Sequence, residues 1–306
     1  MNSYNDKEEK IIEMIESLIR NGVDAELIIS RFESKIFDLK KPELYFWFAK
    51  NVKGIDVKAH EQAVIDKRDP EWNYKFAKNV KGSDINAHGQ VIINSGSLEW
   101  NYKFAKDIKG ADVEAHERVI IRNGDPCYNY MFARYVKGAD VRAHGQAIIN
   151  SGDLEWNYKF ARDIIGADVR AHGRVIINSG DPELNYIFAK NVKGKDVTAH
   201  AQALIYIRDL EWNFNFAKNV RGSDVKAHGH VIKDSGDPEW NYKFAKYIDG
   251  IDTKSNGHGE AVINSCDLEW NYKFARDIIG ADVRAHSNVV INNGDPECNY
   301  IFARYL

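Results

Sequence analysis

From residue 42 onward the apolar and polar positions recur on a 28-residue cycle. In the unit that opens at Pro70, Trp72, Phe76, Ala77 and Val80 fall at helical spacing. After a short polar break Ile85, His88, Val91 and Ile92 do so again. End signals bracket both stretches. Asp69 and Asp84 are N-cap residues, Pro70 suits a first turn, and Glu71 complements the positive end of a helix. Gly82 and Gly96 are the predicted C-terminal stops. Each unit therefore predicts two helices of about ten residues, too short to be stable alone, so neighbouring units must bury one another's faces.

The units open at Pro42, Pro70, Leu98, Pro126, Leu154, Pro182, Leu210, Pro238, Leu268 and Pro296. The expected fold is all-α: an α-solenoid of nine and a half 28-residue two-helix repeats with an N-terminal helical cap. Residues 1–41 fall outside the cycle and read as the capping hairpin, with Asp24 capping a helix whose apolar set is Leu27, Ile28, Phe32, Ile36 and Leu39. Glu9, Lys10, Glu13 and Glu16 are expected to face outward. Residues 42–306 are the tandem-repeat region. One register break, two extra residues within Thr253–Gly257, interrupts it. The last unit is a half repeat carrying Tyr300, Phe302 and Leu306, an end at which a second copy of the chain could pack as a homodimer. Leu154–His172 and Leu268–His286 are identical over nineteen residues, a mark of block duplication.

Composition narrows the function classes. A net charge of -3 disfavours both a uniformly basic nucleic-acid binder and an acidic mimic of nucleic acid. Three cysteines, none in a C-x-x-C pair, suit a reducing compartment, and the expected location is cytoplasmic. No apolar run approaches the ~20 residues of a membrane span, and no signal peptide is visible, so no membrane role is expected.

Two polar residues repeat as faithfully as the core. An Asn follows the Trp position (Asn73, Asn101, Asn129, Asn157, Asn185, Asn213, Asn241, Asn271, Asn299), and a His recurs on the second helix (His60, His88, His116, His144, His172, His200, His228, His258, His286). Asn is a mediocre helix former, so a ladder of hydrogen bonds between layers is the favoured explanation, with ligand binding the other. For the histidines, imidazoles must approach a shared metal to ~2.0–2.1 Å, which the spacing of stacked helices does not permit; packing is expected and no metal site is assigned. Burial of these rings predicts stability that falls with pH below about 6. Gly89, Gly145, Gly173, Gly229 and Gly259 sit inside second helices at a cost of ~1 kcal/mol each against Ala, which close helix approach or a local 3₁₀ turn would explain.

Surface chemistry offers two candidate sites. Lys75, Lys78, Lys103, Lys106, Lys109, Arg134, Lys159 and Arg162 recur along the first helices as a basic stripe, read either as a solvated face or as a phosphate-binding one. Met131, Tyr135, Ile165, Ile187, Tyr247 and Ile279 place apolar groups where other units are polar, as a protein-binding surface would. The Tyr206-Ile207-Arg208 segment is a further local departure. The chain has no P-loop, dinucleotide fingerprint, HExxH or G-x-S-x-G motif, so no catalytic residue and no cofactor is assigned.

Units reading D-P-x-x-N-Y-x-F-A, followed by A-H-x-x-x-I-I-x-x-G-D, resemble short helical repeats of the leucine-rich-repeat-variant and HEAT-like type. They are also similar to tandem repeats of bacterial and phage proteins. The resemblance covers residues 42–306 and implies a solenoid with one face devoted to binding. His replaces the Leu such repeats carry on the second helix. The resulting expectation is a non-enzymatic scaffold for a macromolecule, above all a protein, acting as an inhibitor of a host protein in phage–host conflict. The alternative is nucleic-acid binding through the basic stripe.

Overall fold

A computed structural model describes residues 6–248 and 257–305. Among them are twenty-one helices and no strand. The two extra residues expected within Thr253–Gly257 lie outside the described residues, apart from Gly257, which precedes the helix His258–Asn264. The chain forms two compact units, residues 1–151 and 152–306, and each is a stack of helix pairs. We call the first helix of each repeat A and the second B.

The capping logic of the sequence is realised closely. In the repeat that opens at Pro70, A is Pro70–Asn79 and B is Ile85–Ser95. Asp69 accepts from the N–H groups of Glu71 and Trp72 at 2.9 and 3.1 Å, and Asp84 from those of Asn86 and Ala87 at 3.0 Å. Such caps are worth ~1 kcal/mol each. B ends at Gly96 in the left-handed region, φ +67°, as expected. A ends differently from the glycine stop expected at Gly82. Val80 already turns extended, φ -102° and ψ 119°, and Gly82 adopts φ +82° two residues later in the A–B turn. The early stop swings the Val80 side chain into the core, where it is 6% exposed. Helices B therefore start only a few residues after A has ended.

Within each unit, A helices pack on their own B helices and on the A helix of the neighbouring repeat, and successive B helices also touch. The core follows that connectivity. Tyr74, Ala77 and Ile92 of one repeat close around Phe104 and Ile108 of the next. The same positions recur as Phe214, Ala217 and Ile232 against Phe244 and Ile248. Phe76, Phe104, Phe132, Phe160, Phe188 and Phe216 are fully buried. Each such ring contributes roughly 2–3 kcal/mol, part of which depends on the neighbouring repeat being folded.

The N-terminal hairpin is Asp6–Arg20 and Ala25–Leu39. Asp24 caps the second helix by accepting from Glu26 N–H at 2.9 Å. Ile28, Phe32 and Ile36 are buried, whereas Leu27 is 58% exposed; Glu9, Lys10, Glu13 and Glu16 face solvent. The end of this second helix shares the repeat's register: Lys40 ends it in the left-handed region at φ 54°, as Arg68 ends the next B helix at φ 54°. Its final turns behave as a B helix that the sequence pattern alone did not disclose.

Glycines within B helices sit where helices come close, and the helices stay regular through them. A Cβ on Gly89 would lie 3.3 Å from Phe104 Cε1, and one on Gly229 only 2.9 Å from Phe244 Cε1. The A-helix phenylalanine of the next repeat rests on the bare backbone.

Candidate functional site

Asn and His form one buried network, repeated along the chain. Asn101 donates through its amide nitrogen to Ser97 O at 2.7 Å and to Ile92 O of the preceding B helix at 3.1 Å. Its Oδ1 then accepts from His116 Nδ1 at 2.7 Å. Since the amide nitrogen serves carbonyls, the imidazole proton is fixed on Nδ1. The same triple contact ties Asn213 to Asp209 O, Leu204 O and His228, at 2.7, 3.0 and 2.7 Å. Asn thus sews its own A helix to the preceding and following B helices, which supplies the structural reason for the ladder.

The rings are buried to 2% exposure or less, each against the Phe of its own repeat, with centroids 4.8–5.2 Å apart. Burial lowers His88, His116, His144, His172, His200, His228, His258 and His286 to about 4 from the ordinary 6.5. Among the described residues no group of three His, Cys, Asp or Glu side chains could hold a metal.

From His88 onward Nδ1 is committed to Asn and Nε2 is left as an acceptor facing the preceding repeat, and the steps differ in what it meets. Glu33 Oε1 lies 3.1 Å from His60 Nε2, Glu61 Oε1 3.2 Å from His88 Nε2, and Glu117 Oε1 3.1 Å from His144 Nε2. Glu61 and Glu117 also accept the backbone N–H of Asp84 and Asp140, both at 2.6 Å. At His88 and His144, whose Nδ1 is bonded to Asn73 and Asn129, a neutral Nε2 and an ionised carboxylate would both be acceptors, so those two pairs each hold one shared proton. His60, whose Nδ1 has no partner among the described residues, is free instead to donate Nε2–H to Glu33. Burial raises Glu61 and Glu117 above the usual carboxylate range, as that sharing requires. In other steps the glutamate's place is taken by Gly or Ala, and Nε2 of His116, His172 and His228 has no partner among the described residues. Sequence reading passed over these glutamates, although each stands twenty-seven residues before its histidine.

The basic stripe is engaged locally. Lys75 pairs with Glu71 at 2.6 Å and lies 3.8 Å over the Trp72 ring. Lys103 does the same with Glu99 and Trp100, and Lys159 with Glu155 and Trp156. Lys78 donates to Tyr74 Oη at 2.6 Å and to Asp107 of the next repeat at 2.9 Å. Tyr74 reaches the same carboxylate at 2.5 Å. These donors hold Asp107 below the usual carboxylate range. Lys106 lies 3.9 Å from Asp107, Arg162 pairs with Asp163 at 2.7 Å, and Arg134 hydrogen-bonds Tyr130. Lys109 is exposed and has no partner among the described residues.

The apolar candidates divide in two. Tyr135 and Tyr247 end A helices at 53% and 48% exposure, and Ile165 and Ile279 stand in A–B turns at 96% and 97%. These four occupy repeat positions only two apart, on one edge of the helix pair. Met131 and Ile187, which the sequence places among them, are half-buried instead. They replace the Lys that elsewhere covers the Trp position, and Met131 lies back on the core beside Tyr128. Tyr206, 90% exposed, belongs to a different face at the end of a B helix. In the half repeat Tyr300 is 62% exposed; the Phe302 side chain and Leu306 lie outside the described residues. Among the described residues no helix is long and apolar enough to cross a membrane.

Fold and site together define a tandem helical-repeat protein. Comparisons with protein-family models, curated proteins and solved structures return no match.

Proposed function

We propose that the chain is a non-enzymatic repeat scaffold that binds a protein partner along the edge formed by its A–B turns. One observation carries this reading. The stripe that could attract phosphates is largely neutralised by the chain's own carboxylates, while Ile165 and Ile279 on A–B turns, and Tyr135 and Tyr247 at the ends of A helices, stand exposed at positions that in other repeats are mostly polar. Exposed apolar side chains gathered at two repeat positions favour a dry contact with protein over a salt-dependent contact with nucleic acid. Cys127 and Cys266 are in no disulfide among the described residues, in keeping with a reducing, cytoplasmic setting. The HEAT-like and leucine-rich-repeat-variant resemblance extends the proposal to inhibition of a host protein in phage–host conflict, and to self-association through the half repeat around Tyr300.

The test is capture of partners on immobilised full-length protein, with and without nuclease, at low and high salt, beside I165D, Y247D and I279D. A defined protein that survives nuclease and salt and is lost with these variants supports the proposal. Material that vanishes with nuclease, and with charge reversal of Lys103, Lys106 and Lys109, replaces it with the nucleic-acid reading. Light scattering at high concentration tests self-association: a monomer removes it.

A further inference from the structure

We propose that the step between the B helices Val169–Ser179 and Val197–Ile207 binds a carboxylate carrying an aliphatic extension. The chain itself shows what such a site holds. At two other steps a side-chain carboxylate occupies the equivalent place: Glu61 and Glu117 each accept a cap-residue N–H at 2.6 Å and face a histidine Nε2 at 3.2 and 3.1 Å. Gly173 stands in that register. A notch of about 90 Å³ lies beside it, lined by Gly173, Arg170, Arg174, Asp196 and His200 among others. The Gly173 backbone itself lies close against the ring, since a Cβ there would stand 3.2 Å from His200 Nε2 and 3.3 Å from Phe188 Cε1, so the notch opens at the edge of this contact with His200 in its wall.

His200 is 1% exposed, and its Nδ1 is committed to Asn185 Oδ1 at 2.8 Å. Its Nε2, like the backbone N–H of Asp196, has no partner among the described residues. The groups that hold Glu117 are therefore present here without the glutamate. The charge at the mouth also fits an anion. Arg170 and Arg174 are both exposed and both line the notch, against the single Asp196 carboxylate, which is engaged with Ala199 N–H at 3.0 Å. The steps at Gly89, Gly145 and Gly229 carry Asn86 and Gln90, Arg142 and Gln146, and Lys226 and His230 at the two arginine positions, so the pair of arginines is particular to Gly173 among them.

The extension follows from what adjoins the notch. Past Ile177 and Ala199, which line both spaces, lies a groove of about 400 Å³ bordered by Gly180, Ala203, Tyr206 and Ile207. A carboxylate seated on His200 would lead its carbon chain along this groove. On binding, carboxylate and imidazole share one proton, as in the internal pairs. The carboxylate comes either from an acidic residue followed by an apolar one in a partner polypeptide, or from a free aliphatic acid. The site stands independently of the turn edge proposed above.

The test is a titration of the full chain, ¹⁵N-labelled at histidine, with sodium propionate, sodium hexanoate and a blocked Glu-Leu peptide, against sodium chloride at matched ionic strength. The His200 Nε2 resonance is expected to move saturably toward the positions of His88 and His144. Hexanoate should bind tighter than propionate, by up to about fourfold for each methylene buried. G173E should show the shifted resonance without ligand and not respond. R170E/R174E, altered only at exposed positions, should keep the other histidine resonances and lose the response. Response to the peptide assigns the source to a polypeptide; response to the free acids alone assigns it to a small molecule. No saturable shift with any probe, or an equal shift in R170E/R174E, overturns the proposal.

Discussion

Acidification should unfold this protein well above the range in which carboxylates titrate. Six buried histidines have no carboxylate hydrogen-bonded to Nε2 among the described residues: His116, His172, His200, His228, His258 and His286, each held near 4 by burial. Unfolding returns each to its ordinary 6.5. The folded state then binds fewer protons than the unfolded one, so stability is full above about pH 6.5 and is lost as pH falls toward 4. Between pH 7.5 and 5.5 the loss is about 1.3 kcal/mol per ring, and roughly 8 kcal/mol for all six. A domain's whole stability is about 5–15 kcal/mol, so the effect decides whether the chain is folded. Glu61 and Glu117, raised by burial, act with the opposite sign in their steps. Asp107 and Asp277 are lowered, so their contribution is lost only below about pH 4, outside this window. The assay is urea unfolding followed by far-UV circular dichroism from pH 7.5 to 5.5, with proton uptake from calorimetry in buffers of different ionisation enthalpy. About five protons should be taken up on unfolding at pH 5.5. A denaturation midpoint unchanged across that range would refute the reasoning.

Other perturbations have equally definite outcomes. Asn213→Ala removes two bonds to carbonyls and orphans His228 Nδ1, and should cost about 2–4 kcal/mol in urea unfolding. Phe104→Ala, at a fully buried ring, should cost about 3–5 kcal/mol by the same assay. Gly229→Ala should destabilise by about 1–2 kcal/mol, because the clash at 2.9 Å with Phe244 Cε1 outweighs the gain in helix propensity; a higher melting temperature would contradict it. Arg208→Gly should instead stabilise by roughly 1 kcal/mol, since Arg208 holds φ 62° in the left-handed region.

Much of the fold was legible because the repeats are near-copies. A helix boundary visible once, at Asp69 and Pro70, is visible in nearly every unit, and tertiary context cannot override a pattern that supplies its own context. The end of helix A was misread because Gly82 is a strong local signal, while burial of Val80, a tertiary effect, stops the helix earlier. Asn and His each stood out as ladders, but their bond joins residues fifteen apart on different helices, a distance no helical period announces. The acidic partners Glu33, Glu61 and Glu117 escaped notice for a different reason: where most repeats carry Gly, three exceptions look like drift. Met131 and Ile187 show the limit of polarity arguments, because an apolar side chain at a surface position can be half-buried, and Met131 packs back on the core.

The asparagine stitch also bears on how such a chain can change length. The bonds in it are written relative to the unit itself: four residues back, nine back, and fifteen forward, or seventeen from Asn241 to His258, where the unit is two residues longer. A duplicated 28-residue block therefore arrives with its polar partners already specified, and the units on either side meet the same groups as before. Deleting a whole unit is equally silent. A change of one or two residues within a B helix is not, for it parts the asparagine from both its carbonyl and its imidazole in the dry interior. Inheritance in such a gene is quantised: recombination between copies yields folded proteins, whereas small insertions survive only in turns.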